Sequence, residues 1–531
     1  MKTPCDEAVI QSHVVAVPCR QARGVWVLVA TILASSMAFI DSTVVNVALP
    51  ALQNSFGASL VGVQWVVESY GLTLAALILV GGSMGDSLGR RRMFLLGVAV
   101  FTLASIGCGF AVRLEQLIAA RALQGAGAAF LVPGSLALIG ASFGERERGR
   151  AIGTWSGATA ITMAIGPVLG GWLIEHLSWR WAFFLNVPLA AAVIAVSLLC
   201  VPESRSRHRG QIDWLGALAA TLSLTGLVFG FLESARLGWR HPLVVAALIT
   251  GVAAAVGFLH TERGARSPMV PFELFRSRAF SGANLLTLFL YSALGIFFFL
   301  LPLDLIQVQG YSATAAGAAI LPLILLVFLL SRWSGGLVAR YGARLPLIVG
   351  PAIAALGFLL FSVPSVGGSY GTTFFPAVVV LGLGMAVSVA PLTTVVMDAV
   401  DRDRVGTASG INNAVARLAA VLAVAILGVV MLASFSDQLD RRLTAVPMPA
   451  HARAELQSNA SRLGALTVPA GVEPATASAT EAAILASFVF SFRLVMWLCA
   501  ALALMSSVIA WRTIPGPLAR RTARNLSLAE T

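Results

Sequence analysis

The sequence predicts an all-α polytopic membrane protein: fourteen transmembrane helices, grouped as two six-helix bundles plus two inserted helices. Three observations lead there: an apolar composition, recurring apolar runs near twenty residues, and arginines that alternate between the gaps. Of 531 residues, 58% are hydrophobic and 11% charged, and the mean hydropathy is +0.86. An average globular domain is about 25% charged, so this chain lacks the polar surface to stay dissolved. A soluble enzyme is excluded. About twenty residues, rising about 1.5 Å each, cross roughly 30 Å of hydrocarbon.

The apolar runs fall at 25–49, 61–83, 93–112, 115–141, 150–174, 181–201, 213–234, 241–260, 279–303, 313–336, 345–363, 374–397, 407–433 and 485–511. The first contains Asp41 and has no small-residue cleavage site after a short core, so it reads as a retained helix rather than a signal peptide. Gaps after odd-numbered spans hold few arginines: none in 50–60, then Arg113, Arg180, and Arg236 with Arg240. Gaps after even-numbered spans hold clusters: Arg90, Arg91 and Arg92; Arg146, Arg148 and Arg150; Arg205, Arg207 and Arg209; Arg263, Arg266, Arg276 and Arg278; Arg340 and Arg344; Arg402 and Arg404. Cytoplasmic loops carry the excess of basic residues, which places both termini inside and agrees with an even number of spans. The stretch 434–484 is long, external and rich in Ala, Pro and Ser; it reads either as a cap or hairpin over the outer mouth or as a poorly ordered connector. The organisation expected is a tail at 1–24, a first bundle at 25–202, inserted helices 7 and 8 with their linkers at 203–270, a second bundle at 271–511, and a tail at 512–531.

The charge balance excludes further classes. Of 36 basic residues Lys2 is the single lysine. A nucleotide-binding loop needs a lysine on the phosphates, and Schiff-base chemistry needs one too. The net charge of +12 sits mainly on the inner gaps, so it serves topology rather than nucleic acid. Cys5, Cys19, Cys108, Cys200 and Cys499 are odd in number and read as free thiols. No metal-ligand cluster, nucleophile constellation or cofactor motif is present. Arginine in place of lysine, with abundant alanine, fits a GC-rich bacterial genome, hence a bacterial cytoplasmic membrane.

A short pattern occurs twice, about half a chain apart. GSMGDSLGRRRMF follows span 2, with Gly82, Asp86, Gly89, Arg90 and Arg91; GGLVARYGARLPL follows span 10, with Gly335, Gly342 and Arg344, and Ala339 where Asp86 stood. Duplicated bundles are how many secondary transporters are built. Glycine permits the tight turn and the arginines hold it at the inner surface, so the pattern reads as a gating turn, or more simply as a positive-inside turn.

On these residues the chain resembles the major facilitator superfamily, and within it the fourteen-helix drug:proton antiporter branch. Span 1 carries Asp41-Ser-Thr-Val-Val-Asn46-Val-Ala-Leu-Pro50; span 4 carries Arg121-Ala-Leu-Gln124-Gly125-Ala-Gly127; span 5 carries Gly153, Gly166, Pro167, Gly170 and Gly171, the antiporter motif. Thr162 stands where that motif usually has another glycine. The resemblance implies proton-driven efflux of small molecules.

The residues themselves supply a separate argument. An ionisable group at a helix centre costs about 2.5–3.5 kcal/mol on insertion scales and usually lines a bundle interior. Asp41, Glu68 and Arg121 lie about 13, 10 and 9 Å below the outer edge at the usual rise, one layer in the outer half. Two carboxylates beside one cation need not both be ionised, so a proton could be taken up outside and released inside. A static salt bridge of Arg121 with one acid is the plainer reading, and it leaves the second acid unexplained. No histidine sits deep in a span, so carboxylates must carry the proton. Asn46, Gln64, Trp65, Tyr70, Gln124, Asp304, Asn413 and Arg417 are candidates to line a substrate cavity; helix packing or interfacial anchoring explains several equally well. The run Phe297-Phe298-Phe299 reads as core or lipid-facing. In helix 5, Pro167 kinks the backbone and the glycines allow a partner to approach.

The expectation is therefore a proton-coupled antiporter that exports lipophilic or cationic compounds by alternating access. It needs no cofactor, deals with small molecules, protons and the bilayer, and acts as a monomer. A dedicated exporter of one endogenous metabolite or antibiotic fits the same motifs. A membrane scaffold or sensor that transports nothing is the alternative from another class.

Overall fold

The computed structural model describes residues 21–143, 145–205, 213–264, 270–367, 369–400 and 405–515. All regular structure among them is helical. Eight helices precede the midpoint: α1 Gln21–Phe56, α2 Leu60–Leu88, α3 Arg90–Phe110, α4 Leu114–Ser142, α5 Glu145–His176, α6 Trp181–Cys200, α7 Trp214–Leu237 and α8 Pro242–Gly264. Six follow: α9 Arg278–Leu303, α10 Leu321–Tyr341, α11 Arg344–Leu360, α12 Phe375–Asp398, α13 Val405–Leu443 and α14 Pro474–Thr513. Among the described residues, thirteen spans are long and apolar enough to cross a membrane. The remaining one, α11, has 17 residues, the lower limit for a spanning helix. The fourteen predicted spans thus each meet a helix.

Helix ends differ from the predicted boundaries where polar residues continue a helix beyond the apolar run. Pro50 lies inside α1, which continues to Phe56. The largest difference is at 434–484, predicted as one long loop. There α13 extends to Leu443 and α14 begins at Pro474. Only 444–473 connects them, carrying a short helix Ala450–Ser458 and a 3-10 turn Ala460–Ala465. Hydropathy measures contact with lipid, not helicity: the last turns of α13 are amphipathic and closed by an ion pair four residues apart, Asp437 with Arg441 at 3.0 Å. At 39 and 40 residues, α13 and α14 are longer than a span needs and carry the connector on their far ends.

Two compact units emerge: Met1–Ala48, Trp65–Thr225 and Thr250–Met269 form one, and Leu49–Gln64, Gly226–Ile249 and Val270–Thr531 the other. In the first, Met37, Tyr70, Leu74, Phe94, Phe101, Ala128 and Leu131 share one buried core. In the second, the corner between α1 and α2 meets the connector between α13 and α14: Gln53 Nε2 donates to the Arg462 carbonyl at 2.8 Å, Arg462 Nη2 to the Gly57 carbonyl at 3.1 Å, and Gln307 Nε2 to Gln53 Oε1 at 2.9 Å.

The repeat seen in the sequence returns as packing. A Cβ on Gly97 would sit 2.9 Å from the Gly127 carbonyl, and one on Gly127 3.0 Å from the Gly97 carbonyl, so α3 and α4 touch backbone to backbone. In the second unit Gly350 and Gly384 do the same for α11 and α12, at 3.0 and 2.8 Å. In both units an arginine in the first turn after the glycine turn donates to a late carbonyl of another helix of that unit: Arg91 Nη2 to Leu198 on α6 at 2.9 Å, and Arg344 Nη2 to Trp511 on α14 at 2.6 Å.

Candidate functional site

Five helices of the first unit bring polar side chains to one buried point. Arg121, on α4, is 1% exposed, and its guanidinium bonds to α1, to α2 and to a neighbour on its own helix. Nη1 donates to Asp41 Oδ2 on α1 at 2.5 Å and to Gln124 Oε1 at 2.6 Å; Nε donates to the Val66 carbonyl on α2 at 3.1 Å. The Tyr70 ring lies 4.3 Å beneath the guanidinium carbon, and the Phe183 ring of α6 lies at 5.9 Å. Such pairs persist only when hydrogen bonds replace the lost hydration.

The Asp41 carboxylate, buried completely, is met on its other oxygen. Gln124 Nε2 donates to Oδ1 at 2.8 Å, and Asn186 Nδ2 of α6 approaches at 3.4 Å. Both amides also donate to Ser105 Oγ on α3, at 2.9 and 2.8 Å. The Cys108 thiol points to Gln124 Oε1 at 3.8 Å. The cluster ties α1, α2, α3, α4 and α6 together.

Of the three intramembrane charges singled out in the sequence, the structure brings two into contact. Glu68 is equally buried, at 1%, but it stands outside the Asp41–Arg121 network, and its Oε2 has no hydrogen-bond partner. Asp41 and Glu68 are therefore buried carboxylates of different kinds, one clamped to a cation and one with an oxygen that has no hydrogen-bond partner.

The α5 glycines act on α1 beside Asp41. Gly166 faces Thr43 and Ile40; a Cβ on Gly170 would stand 2.7 Å from Val44 Cγ1. Pro167 and Gly171 are buried with them, and Trp155 Nε1 donates to Ser35 Oγ at 3.1 Å. Gly153 is exposed, with no neighbour where a Cβ would be, so it takes no part in that approach.

The turn after α2 is built on Gly89, whose φ of 122° favours glycine. A Cβ there would meet Glu203 Oε1 at 2.9 Å. Glu203, just past the end of α6, caps the start of α3: its carboxylate accepts from the backbone N–H of Arg91 at 3.0 Å and of Arg92 at 3.2 Å. An anion suits a helix N-terminus. Arg90 N donates to the Ser204 carbonyl at 2.9 Å, and a Cβ on Gly82 would lie 3.7 Å from Pro133 Cβ. The Asp86 side chain lies outside the described residues.

The sequence pattern of the Major Facilitator Superfamily matches residues 31–424. The chain belongs to the Major Facilitator Superfamily. It is a multi-pass membrane transporter of small molecules, not an enzyme. Among superfamily members it is 37% identical to the multidrug resistance protein Stp of Mycobacterium tuberculosis over 441 residues, covering 81% of this chain and 80% of that protein. It is 34% identical to the methylenomycin A resistance protein of Bacillus subtilis, over 77% of this chain and 88% of that one. With the tetracenomycin C resistance and export protein of Streptomyces glaucescens it shares 30% identity over 91% and 90% of the two chains. The superfamily fold is shared with a bacterial homolog of the human lysosomal transporter Spinster, at a TM-score of 0.63 and 18% identity, over 94% of this chain and 100% of that one.

The other cavity candidates of this superfamily member are dispersed. Tyr70 and Gln124 belong to the buried cluster. Asn46 and Trp65 are half-buried. Gln64 Nε2 is bonded to the Val424 carbonyl at 2.9 Å in the second unit. Asp304, also there, is buried at the start of a π turn, Asp304–Val308, that continues α9. Asn413 is exposed and bonds back to the Ser409 carbonyl at 3.1 Å, whereas its neighbour Asn412 reaches Asn284 at 3.2 Å and Thr287 at 2.7 Å. Arg417 is half-buried. Phe297 packs on Phe358 and Phe361 in the core.

Sequence reasoning missed Asn186, Ser105 and Glu203. Asn186 was visible as a lone amide inside the apolar run 181–201 and merited the weight given to charges. Ser105 carries no such signal.

Proposed function

We propose that this efflux transporter is a proton-coupled antiporter in which small lipophilic or cationic compounds leave as protons enter. The reading takes the chain as two six-helix bundles, 25–202 and 271–511, alternating access around a substrate, with 203–270 as an inserted pair. One observation carries it: a completely buried Asp41–Arg121 pair that cross-links α1 to α4. While Asp41 is ionised, Coulomb attraction and the Gln124 clamp hold the two helices. A proton on Asp41 cancels one charge of the pair and removes that attraction, leaving Arg121 held by Val66, Gln124 and Tyr70. Helix α1 is then free to move against α4, and the glycine contact of α5 on α1 beside Asp41 carries that movement outward. Glu68 supplies a second carboxyl that exchanges a proton without breaking an ion pair.

The driving force is adequate. A charge crossing 100 mV gains about 2.3 kcal/mol, which supports roughly a 40-fold gradient of a neutral compound per proton at about 1.4 kcal/mol per tenfold. The relatives named for resistance and export support the outward direction. The same reading places the protein in a bacterial cytoplasmic membrane, both termini inside, working as a monomer.

A dedicated exporter of one antibiotic is the second reading, favoured by relatives named for single compounds, methylenomycin A and tetracenomycin C. A resistance panel in a pump-deficient host separates the two: protection against many unrelated compounds supports multidrug efflux, and protection against one supports the dedicated exporter. Proton coupling is tested in everted vesicles, where an imposed pH gradient should drive uptake of the compounds so found. Uptake unaffected by collapsing that gradient would overturn the reading.

A further inference from the structure

Asn186 carries a feature that the pairing of Asp41 with Arg121 does not use. It is buried completely on α6, its Nδ2 is occupied by Ser105 Oγ at 2.8 Å, and its Oδ1 has no hydrogen-bond partner. Every other polar side-chain oxygen around it is satisfied. Asp41 Oδ2 is met by Arg121 and Oδ1 by Gln124; Gln124 Oε1 is met by Arg121; Ser105 Oγ is met by both amides. A buried acceptor without a donor is costly, so a state that supplies one relieves that cost.

The groups around Asn186 narrow the source. Facing it are Asp41 from α1, Ser105 and Cys108 from α3, and Arg121 with Gln124 from α4; α2 contributes Tyr70 beneath Arg121 and, outside the network, Glu68. The stretch of α5 that packs on α1 beside Asp41, residues 164–171, has no titratable side chain. Arg121 Nε and Nη1 and both Gln124 amide hydrogens are committed, and the Cys108 thiol points to Gln124. A proton arriving from water on Asp41 converts an acceptor oxygen into an O–H donor, and Asp41 Oδ1 already lies 3.4 Å from Asn186 Nδ2, the nitrogen of the same amide group.

We propose that Asn186 is a positioning residue that reads the protonation state of Asp41: its carbonyl accepts from the carboxylic acid, while its N–H stays on Ser105. The proposal rests on the reading of Asp41 as a proton site. Asn186 thereby holds the uncharged acid once Arg121 no longer does, and keeps α6 in register with α1 through the exchange.

The test is an infrared titration of the full-length protein in proteoliposomes, following the carboxylic acid C=O band that disappears on Asp41→Asn. Each Asn186 variant is referenced to the same variant carrying Asp41→Asn, so that any new carboxyl is subtracted. Asn186→Leu removes the acceptor together with the long N–H contact at 3.4 Å. That contact to the ionised form is the weaker of the two, so the Asp41 midpoint should move to lower pH, by at most about one unit, roughly the tenfold that one hydrogen bond contributes. Asn186→Asp, close in shape and able to fold where leucine is not, sets a second carboxylate beside Asp41 and should move the midpoint to higher pH. A packing role alone would change stability and leave the Asn186→Leu midpoint in place. Wild-type midpoints in the variants, or shifts in the same direction, overturn the proposal while the coupling reading stands. If Asp41→Asn removes no titrating band from the wild type, both fall.

Discussion

Removing one member of the Asp41–Arg121 pair should cost far more than removing both. Arg121→Gln leaves a carboxylate at 0% exposure with only the Gln124 and Asn186 amides against it, and an uncompensated buried charge costs about 3–5 kcal/mol. Asp41→Asn strands the guanidinium on the Val66 carbonyl, Gln124 and the Tyr70 face, at a similar cost. In the double variant two neutral amides of near-native shape face each other across α1 and α4, neither carries a charge, and the cluster keeps donors for the remaining oxygens. Replacing a whole buried pair is often close to neutral, so the double variant is expected within about 2 kcal/mol of the parent, against a sum of about 6–10 kcal/mol for independent changes. Denaturant unfolding in detergent micelles, on all four proteins, measures the cycle. An additive double variant would falsify the view that these side chains stabilise one another as a pair.

Further outcomes follow from the same geometry. Glu68→Gln removes a carboxyl that holds no ion pair, so proton-coupled efflux should be lost while unfolding stability changes by less than about 1 kcal/mol; a full loss of folded protein contradicts this. Gly127→Ala sets a Cβ 2.5 Å from the Phe101 backbone N and should destabilise the α3–α4 contact by about 1–3 kcal/mol, visible as a lower melting temperature in detergent. Glu203→Ala removes the acceptor for two backbone N–H groups of α3 and should cost about 1 kcal/mol, as loss of an N-cap does. It should also speed amide hydrogen exchange at Arg91 and Arg92.

How far the sequence carried the structure depends on what sets each feature. Span number follows from hydrophobic thickness, and the fourteen runs each met a helix. Helix ends beyond the lipid do not follow from it, which is why 434–484 resolves into the last turns of α13 and the first turns of α14 around a shorter connector. Asp41 and Arg121 could be placed in one layer from the helical rise alone, because both distances run along single helices. Whether Glu68 joins them depends on rotation about the α2 axis, which spacing to a span edge does not report, and the structure leaves it outside. Asn186 was overlooked because a neutral amide adds little to a hydropathy profile, although inside a bundle it needs partners as a charge does. Glu203 caps a helix more than a hundred residues earlier in the chain, a contact that only the tertiary fold creates.

The central claim is that Asp41 gives up and takes back a proton as substrate crosses. Proteoliposomes with a pH-sensitive dye inside, challenged with each compound that the resistance panel identifies, measure this directly. The account expects proton movement on adding substrate, opposite in direction to the substrate, present in the wild type and absent in Asp41→Asn even though that variant still binds the compound. Substrate transport by the Asp41→Asn protein with an undiminished proton signal would contradict it.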